Sequence, residues 1–139
     1  MMNSSRSIRS VGVKKRVQIT VTPVQVVADL NDTGTTEAIW QALPISGRVN
    51  LWGDEIYFSI PLCLELEDGK EVVQSGDLGY WPEGSAFCIF FGKTPASLMG
   101  EIRPASAVNV FGRVLGDAGV FKLVKSGAKV TVEKVMSEQ

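Results

Sequence analysis

Short runs in which apolar and polar residues alternate constrain the fold of this chain more than any other feature. Val17, Ile19 and Val21 alternate with polar residues, which is the period of a half-buried strand. The Asp68-Gly69 pair lies between two such runs and is typical of a tight hairpin. Further strands are predicted at residues 24–30, 48–52, 56–61, 62–67, 70–74, 85–91, 107–114 and 128–135.

Two short helices are predicted between these strands. Thr35 or Thr36 can cap a helix that runs to Leu43, and Pro44 ends it. A second helix is predicted over residues 117–125, because its apolar residues recur at helical spacing. The expected buried face of the first helix is Ala38, Ile39, Ala42 and Leu43, and that of the second is Val120, Leu123 and Val124.

The order of these elements predicts a mainly β protein. Roughly eight short strands follow one another through hairpins, and no strand–helix–strand rhythm occurs, so a closed barrel is favoured over a doubly wound sheet. The length of 139 residues fits one domain. We expect a basic N-terminal arm at residues 1–15, the barrel at 16–136 and a short tail at 137–139.

Charge is distributed unevenly along the chain. Five of the 14 basic residues lie in residues 1–16, which contain no acid, whereas all 15 acids lie in the remainder. Five charges over sixteen residues attract nucleic acid or an anionic membrane only weakly. We therefore expect a disordered leader and neither nucleic acid nor membrane as a partner. No apolar stretch follows the basic residues as in a secretory signal. The expected location is therefore cytoplasmic, with reduced cysteines.

The absence of histidine excludes several kinds of site. A chain with no histidine cannot use Ser-His-Asp or Cys-His catalysis, nor bind zinc or haem through imidazole. Cys63 and Cys88 alone cannot form a zinc cluster. Gly92-Lys93-Thr94 resembles the end of a phosphate loop, but Phe87 stands where that loop requires glycine. We therefore predict no metal, no nucleotide and no other cofactor.

Aromatic residues are concentrated in one part of the chain. Eight of the 11 aromatic residues lie between Trp52 and Phe91. In the strand at 85–91, alternation puts Phe87, Ile89 and Phe91 on one face, and the other face then carries an apolar strip formed by Ala86, Cys88 and Phe90. An outward apolar strip near Trp81 predicts a groove or a dimer interface, and the pattern leaves both open.

Several longer motifs resemble one superfamily of β-barrels. The segment Gly84-Ser85-Ala86-Phe87-Cys88-Ile89 resembles the Gly-Ser-Gln-Phe-Phe-Ile strand of cyclophilins. A fuller resemblance, over residues 16–136, is to a small prokaryotic family of uncharacterised cyclophilin-like domains. It implies a closed eight-stranded barrel with two short helices. The motifs shared with that family are Trp52-Gly53-Asp54-Glu55-Ile56-Tyr57-Phe58, Gly76-Asp77, Tyr80-Trp81-Pro82, Phe90-Phe91-Gly92, Thr94-Pro95 and Val108-Asn109. Val110-Phe111-Gly112-Arg113-Val114 resembles the late Val-Phe-Gly-Lys-Val strand of cyclophilins.

The same resemblance implies that the catalytic residues of cyclophilins are missing. Cyclophilins isomerise Xaa-Pro bonds with an arginine, and this arginine corresponds to Phe58 in the present chain. Their glutamine corresponds to Ala86, their pocket phenylalanine to Cys88 and their histidine to Val108. Arg48 or Arg103 could supply a donor from another strand.

Three functions are therefore considered. The first is the binding of a small molecule or a proline-containing peptide in an aromatic groove, by a monomer or a homodimer. The second is weak peptidyl-prolyl isomerisation with a relocated arginine, and the third is a regulatory protein–protein interaction. The predicted ligand-binding residues are Trp52, Tyr57, Phe58, Trp81, Cys88, Phe90 and Val108.

Overall fold

A computed structural model describes residues 14–135, which form a nearly closed barrel from one nine-stranded antiparallel sheet. The sheet order is β3-β9-β1-β2-β8-β6-β7-β5-β4. The strands are β1 (Arg16–Val21), β2 (Val24–Leu30), β3 (Ile45–Arg48), β4 (Asn50–Leu51), β5 (Glu55–Ser59), β6 (Asp77–Trp81), β7 (Ala86–Phe90), β8 (Asn109–Val114) and β9 (Lys129–Lys134).

The sheet has nine strands and does not close fully, whereas a closed barrel of eight strands was expected. The strand predicted at residues 48–52 is split at Val49, so that β3 pairs with β9 whereas β4 pairs with β5. The Val49 amide donates to the carbonyl of Ala128, so Val49 continues the contact of β3 with the chain before β9. β3 and β4 thus form the two ends of the sheet, adjacent in sequence but not hydrogen-bonded to each other.

Both predicted helices are present, with corrections to their caps and faces. Helix α1 (Gly34–Ala42) begins one residue after its cap Thr33, whose hydroxyl accepts from the amide of Thr36 at 3.2 Å. The second helix is a 3₁₀ helix (Ala118–Leu123), which repeats every three residues. Its buried residues therefore follow that spacing, whereas Val120 and Leu123 are exposed. The buried set there is Ala118, Phe121 and Val124.

The segment between β5 and β6 is the largest departure from the predicted strands. Residues 62–67 form no strand, and residues 70–74 contribute only isolated bridges from Lys70 to Val108 and from Val73 to Ile102. Asp68 does turn the chain, with a φ of 52°, but no hairpin forms. Leu62 and Leu64 pack against the main core, and Val73 packs in a second, smaller apolar cluster, which explains the apolar residues of this segment without a ladder. β6 escaped prediction because four of its five residues are buried and it shows no alternation.

The barrel has an inner core and a smaller outer apolar cluster. Phe58 and Phe87 stack inside the barrel with their ring centroids 4.9 Å apart. Cys88 and Phe90, on the opposite face of β7, pack with Val108 in the outer cluster. The predicted alternation of residues 85–91 is confirmed. The outward strip of Ala86, Cys88 and Phe90 is buried under other parts of the chain and is not exposed to solvent.

The predicted arm lies almost entirely outside the described residues. Lys15 was assigned to this arm, but its carbonyl accepts from the Leu30 amide and its ammonium lies 3.7 Å from the carboxylate of Glu37. The first strand begins at Arg16. Residues 1–13 and 136–139, which include the predicted tail at 137–139, lie outside the described residues. Within residues 14–135, no helix has the length and apolar character needed to cross a bilayer.

Candidate ligand-binding pocket

A cavity of about 170 Å³ opens on the outer face of β5, β6 and β7. The turn before β5, the strand β5 itself and the end of β6 form one side. The segment that connects β7 to β8 forms the other side. The lining residues are Trp52, Glu55, Tyr57, Trp81, Pro104, Ala105 and Val108.

The β4–β5 turn fixes two of the lining side chains. Trp52 and Glu55 exchange backbone hydrogen bonds of 2.9 and 3.2 Å across it. Gly53 adopts a φ of +61°, and a Cβ there would lie 2.8 Å from the carbonyl oxygen of Lys93. Glycine is therefore required at this position. From the turn onward, the two-residue period of β5 puts Glu55 and Tyr57 on the outer face.

The Trp81 ring is held rigidly at the side of the cavity. Its indole nitrogen donates to the Ser106 hydroxyl at 2.6 Å. A Cβ at Gly84 would lie 2.5 Å from the ring, so the absence of a side chain there leaves space for the indole. Tyr57 meets Trp81 edge to face, with centroids 6.5 Å apart and an interplanar angle of 76°. The cavity thus has two nearly perpendicular aromatic walls that are fixed before any ligand arrives.

Glu55 is the one acidic residue of the lining, and it is only 5% exposed. Its Oε1 atom is buried without a hydrogen-bond partner among the described residues. Burial raises the pKa of this carboxyl to about 7, while contact with the Cys88 thiol acts in the opposite direction. Glu55 can therefore exchange a proton near neutral pH.

Cys88 lies beneath the cavity as a structural residue. It is buried, and its sulfur lies 3.9 Å from the carbonyl oxygen of Ala86. Burial, and then the negative charge of Glu55, raise the pKa of this thiol well above its ordinary value. The thiolate required of a nucleophile is thus disfavoured. Above it, Val108 fits over Gly79, where a Cβ would lie 2.9 Å from a Val108 methyl group.

The structure brings together most, but not all, of the predicted binding residues. Trp52, Tyr57, Trp81 and Val108 line the cavity. Cys88 and Phe90 belong to the adjoining outer cluster. Phe58 lies instead in the barrel interior, because the alternation of β5 turns it away from its neighbour Tyr57.

Neither candidate arginine lines the cavity. Arg48 is exposed, and its guanidinium donates to the Gly127 carbonyl at 3.3 Å. Arg103 directly precedes the lining residue Pro104, but its Nε donates to a carboxylate oxygen of Glu101 at 2.9 Å. Both guanidinium groups are thus engaged outside the cavity.

Sequence reasoning missed Glu55, Pro104 and Ala105. The signal for Glu55 was its two-residue spacing from Tyr57, which puts both side chains on one face. Pro104 and Ala105 lie in a loop without periodicity, so no pattern marked them. Among residues 14–135, no three acidic or cysteine side chains converge in a way that could hold a metal ion.

Comparison with known proteins was made on sequence and on structure. A family model described as cyclophilin-like matches residues 15–133. The solution structure of a hypothetical protein from Archaeoglobus fulgidus is 43% identical, with a TM-score of 0.75, and the match covers 89% of this chain and 97% of that one. None of the curated proteins compared matches the chain significantly.

Proposed function

The chain belongs to the cyclophilin-like family, and we propose that it binds a small organic molecule in the cavity between Trp52, Tyr57 and Trp81. The observation that carries this proposal is the unpartnered Oε1 atom of Glu55. A buried acceptor without a donor costs roughly 1–3 kcal/mol. Because Glu55 lines the cavity, a ligand that offers its carboxyl a donor group or a positive charge offsets part of this cost.

The size of the cavity favours a small molecule over an extended peptide. Its volume is about 170 Å³, and an apolar cavity of about 150 Å³ binds benzene. A single ring or a compact branched group fits such a space, whereas a peptide could insert only one side chain. The fixed orientation of Trp81 supports tight binding, because little side-chain freedom is lost when the ligand enters.

Binding without isomerisation agrees with the polar groups around the cavity. Isomerisation of an Xaa-Pro bond is assisted by a donor aimed at the prolyl nitrogen. No arginine or lysine belongs to the described lining, and Glu55 in its ionised form only accepts hydrogen bonds. These observations support a binding role for the pocket rather than the relocated-arginine mechanism.

The indole N–H signals of the three tryptophans provide a direct test by NMR. Trp52 and Trp81 line the cavity, whereas Trp40 lies on α1, with the ammonium of Lys134 over its ring. In a screen of small fragments, we expect ligands to shift the Trp52 and Trp81 signals and to leave Trp40 unchanged. Ala105 is exposed at the cavity, so an Ala105→Phe variant should block these shifts without unfolding the barrel.

Two outcomes would contradict the proposal. The first is a screen in which no fragment perturbs either cavity tryptophan. The second is a set of shifts that persists unchanged in Ala105→Phe, because the binding would then lie elsewhere on the protein.

A further inference from the structure

Resting on the proposed function, we infer that the ligand is a small organic cation with an alkylated ammonium group. The carboxylate of Glu55 would neutralise its charge, and the aromatic side chains of Trp52, Tyr57 and Trp81 would surround it. Glu55 would thereby select ligands by their charge.

The first argument is the isolation of the Glu55 carboxylate. No Lys or Arg nitrogen in the described part of the chain lies within 4.0 Å of it, although six other acidic side chains form such ion pairs. Its Oε1 atom is buried and has no donor. A buried carboxyl is costly to ionise unless a positive charge or several donors lie nearby. A cationic ligand is the partner that supplies both charge and contact at this position.

The second argument is the aromatic lining. An ammonium group is attracted to the electron-rich face of an aromatic ring, and the attraction is strongest for tryptophan. Trp81 and Tyr57 meet at 76°, and Trp52 lines the same cavity. Several aromatic walls beside one acidic group make the kind of cage that recognises quaternary ammonium ions.

The third argument concerns which ligands the lining disfavours. The remaining lining residues, Pro104, Ala105 and Val108, offer apolar side chains. An anion would face the Glu55 carboxylate without a basic residue among the described lining. The Trp81 indole N–H is already used by Ser106. A methylated ammonium suits these surroundings, because it needs little hydration and carries its charge inside an apolar shell.

The protonation state of Glu55 makes cation binding depend on pH. The titratable groups facing it are the Cys88 thiol on β7 and the Tyr57 phenol on its own strand. On the covering segment, the guanidinium of Arg103 is paired with Glu101. Since the carboxyl has a pKa of about 7, a cation must displace a proton below that pH. Its affinity is therefore expected to be about tenfold lower at pH 6 than at pH 8.

The test compares choline with its neutral isostere 3,3-dimethylbutanol. The two compounds have nearly the same shape and differ in charge. Binding to the full-length protein is measured at pH 6 and pH 8 by calorimetry and by the indole signals of Trp52 and Trp81. At pH 8 we expect choline to bind at least about tenfold more tightly than the alcohol. At pH 6 this preference should largely disappear, and choline binding should release up to one proton.

Two variants isolate the role of Glu55. Glu55→Gln retains the shape of the side chain and should remove the preference for choline while the alcohol still binds. Glu133→Gln is the matched control, because Glu133 is exposed on β9, and it should behave like the wild type. Equal binding of the two compounds at pH 8, or a choline preference that survives Glu55→Gln, would overturn the inference while leaving small-molecule binding intact. If neither these compounds nor neutral fragments perturb Trp52 or Trp81, the proposed function itself fails.

Discussion

Replacing Glu55 by glutamine is expected to stabilise the ligand-free protein at pH 8 but not at pH 4. In the folded state the pKa of this carboxyl is raised from 4.5 to about 7, chiefly by burial. Below pH 4.5 the group is protonated in both the folded and unfolded states, so burial carries no ionisation cost. Between pH 4.5 and 7 only the unfolded state loses the proton, and the free energy of unfolding falls as pH rises.

The size of this effect follows from the shift in pKa. Each unit corresponds to 1.36 kcal/mol, so the shift of Glu55 corresponds to a loss of about 3 kcal/mol across that pH range. The side chain is only 5% exposed, so solvent screening reduces the figure little. Glutamine cannot ionise, so the variant escapes the loss. For a domain of this length, the difference is equivalent to a melting temperature about 10 °C higher relative to wild type.

Urea denaturation at pH 4 to 8 measures the effect directly. The free energy of unfolding is determined for wild type, Glu55→Gln and Glu133→Gln, so that the titration of all other groups cancels in the differences. The advantage of Glu55→Gln over wild type should grow by about 3 kcal/mol between pH 4.5 and 7 and stay level outside that range. A difference that is independent of pH would refute the raised pKa and the burial from which it arises.

Three further predictions test the pocket, the chemistry and the framework. Gly84→Ala places a Cβ about 2.5 Å from the Trp81 ring, so it should displace the indole and weaken fragment binding; its Trp81 indole signal should move in the ligand-free protein. Exchange NMR on an Ala-Pro peptide should show no acceleration by wild-type protein, and rapid exchange at catalytic concentrations would contradict binding without isomerisation. Glu67 accepts hydrogen bonds from the Thr35 hydroxyl and from the first two amides of α1, which lower its pKa. Glu67→Ala should therefore lower the melting temperature at pH 7 and have less effect at pH 3, whereas Glu65→Ala, at an exposed position, should have little effect at either pH.

Much of the barrel was predictable from local pattern. β2 was predicted at its observed bounds, Val24–Leu30, because one of its faces is more buried than the other and the sequence records that difference. The alternation in β7 likewise separated Phe87 from Cys88. Where a strand is buried on both faces, as β6 is, the alternation disappears and so does the signal.

The covering segments and the acidic residue of the pocket were harder to predict. Residues 62–74 have the composition of a hairpin, but they form no ladder and make only isolated bridges to Val108 and Ile102, and only tertiary contacts decide between these arrangements. Glu55 was not predicted as a site residue, because the cavity that it lines is completed by Pro104 and Ala105 from a loop about 50 residues away. The pattern of the sequence indicates neither the position of this loop nor the raised pKa of the Glu55 carboxyl.

The most direct measurement of the central claim is a ¹³C NMR titration of the Glu55 carboxyl, in the free protein and with saturating choline. The midpoint in the free protein should lie near the raised pKa of about 7, and choline should lower it by about one unit or more, because a bound cation favours the ionised form. A midpoint near the ordinary 4.5 in the free protein, or one that choline leaves unchanged, would contradict the account of Glu55 as the buried carboxyl whose negative charge selects the ligand.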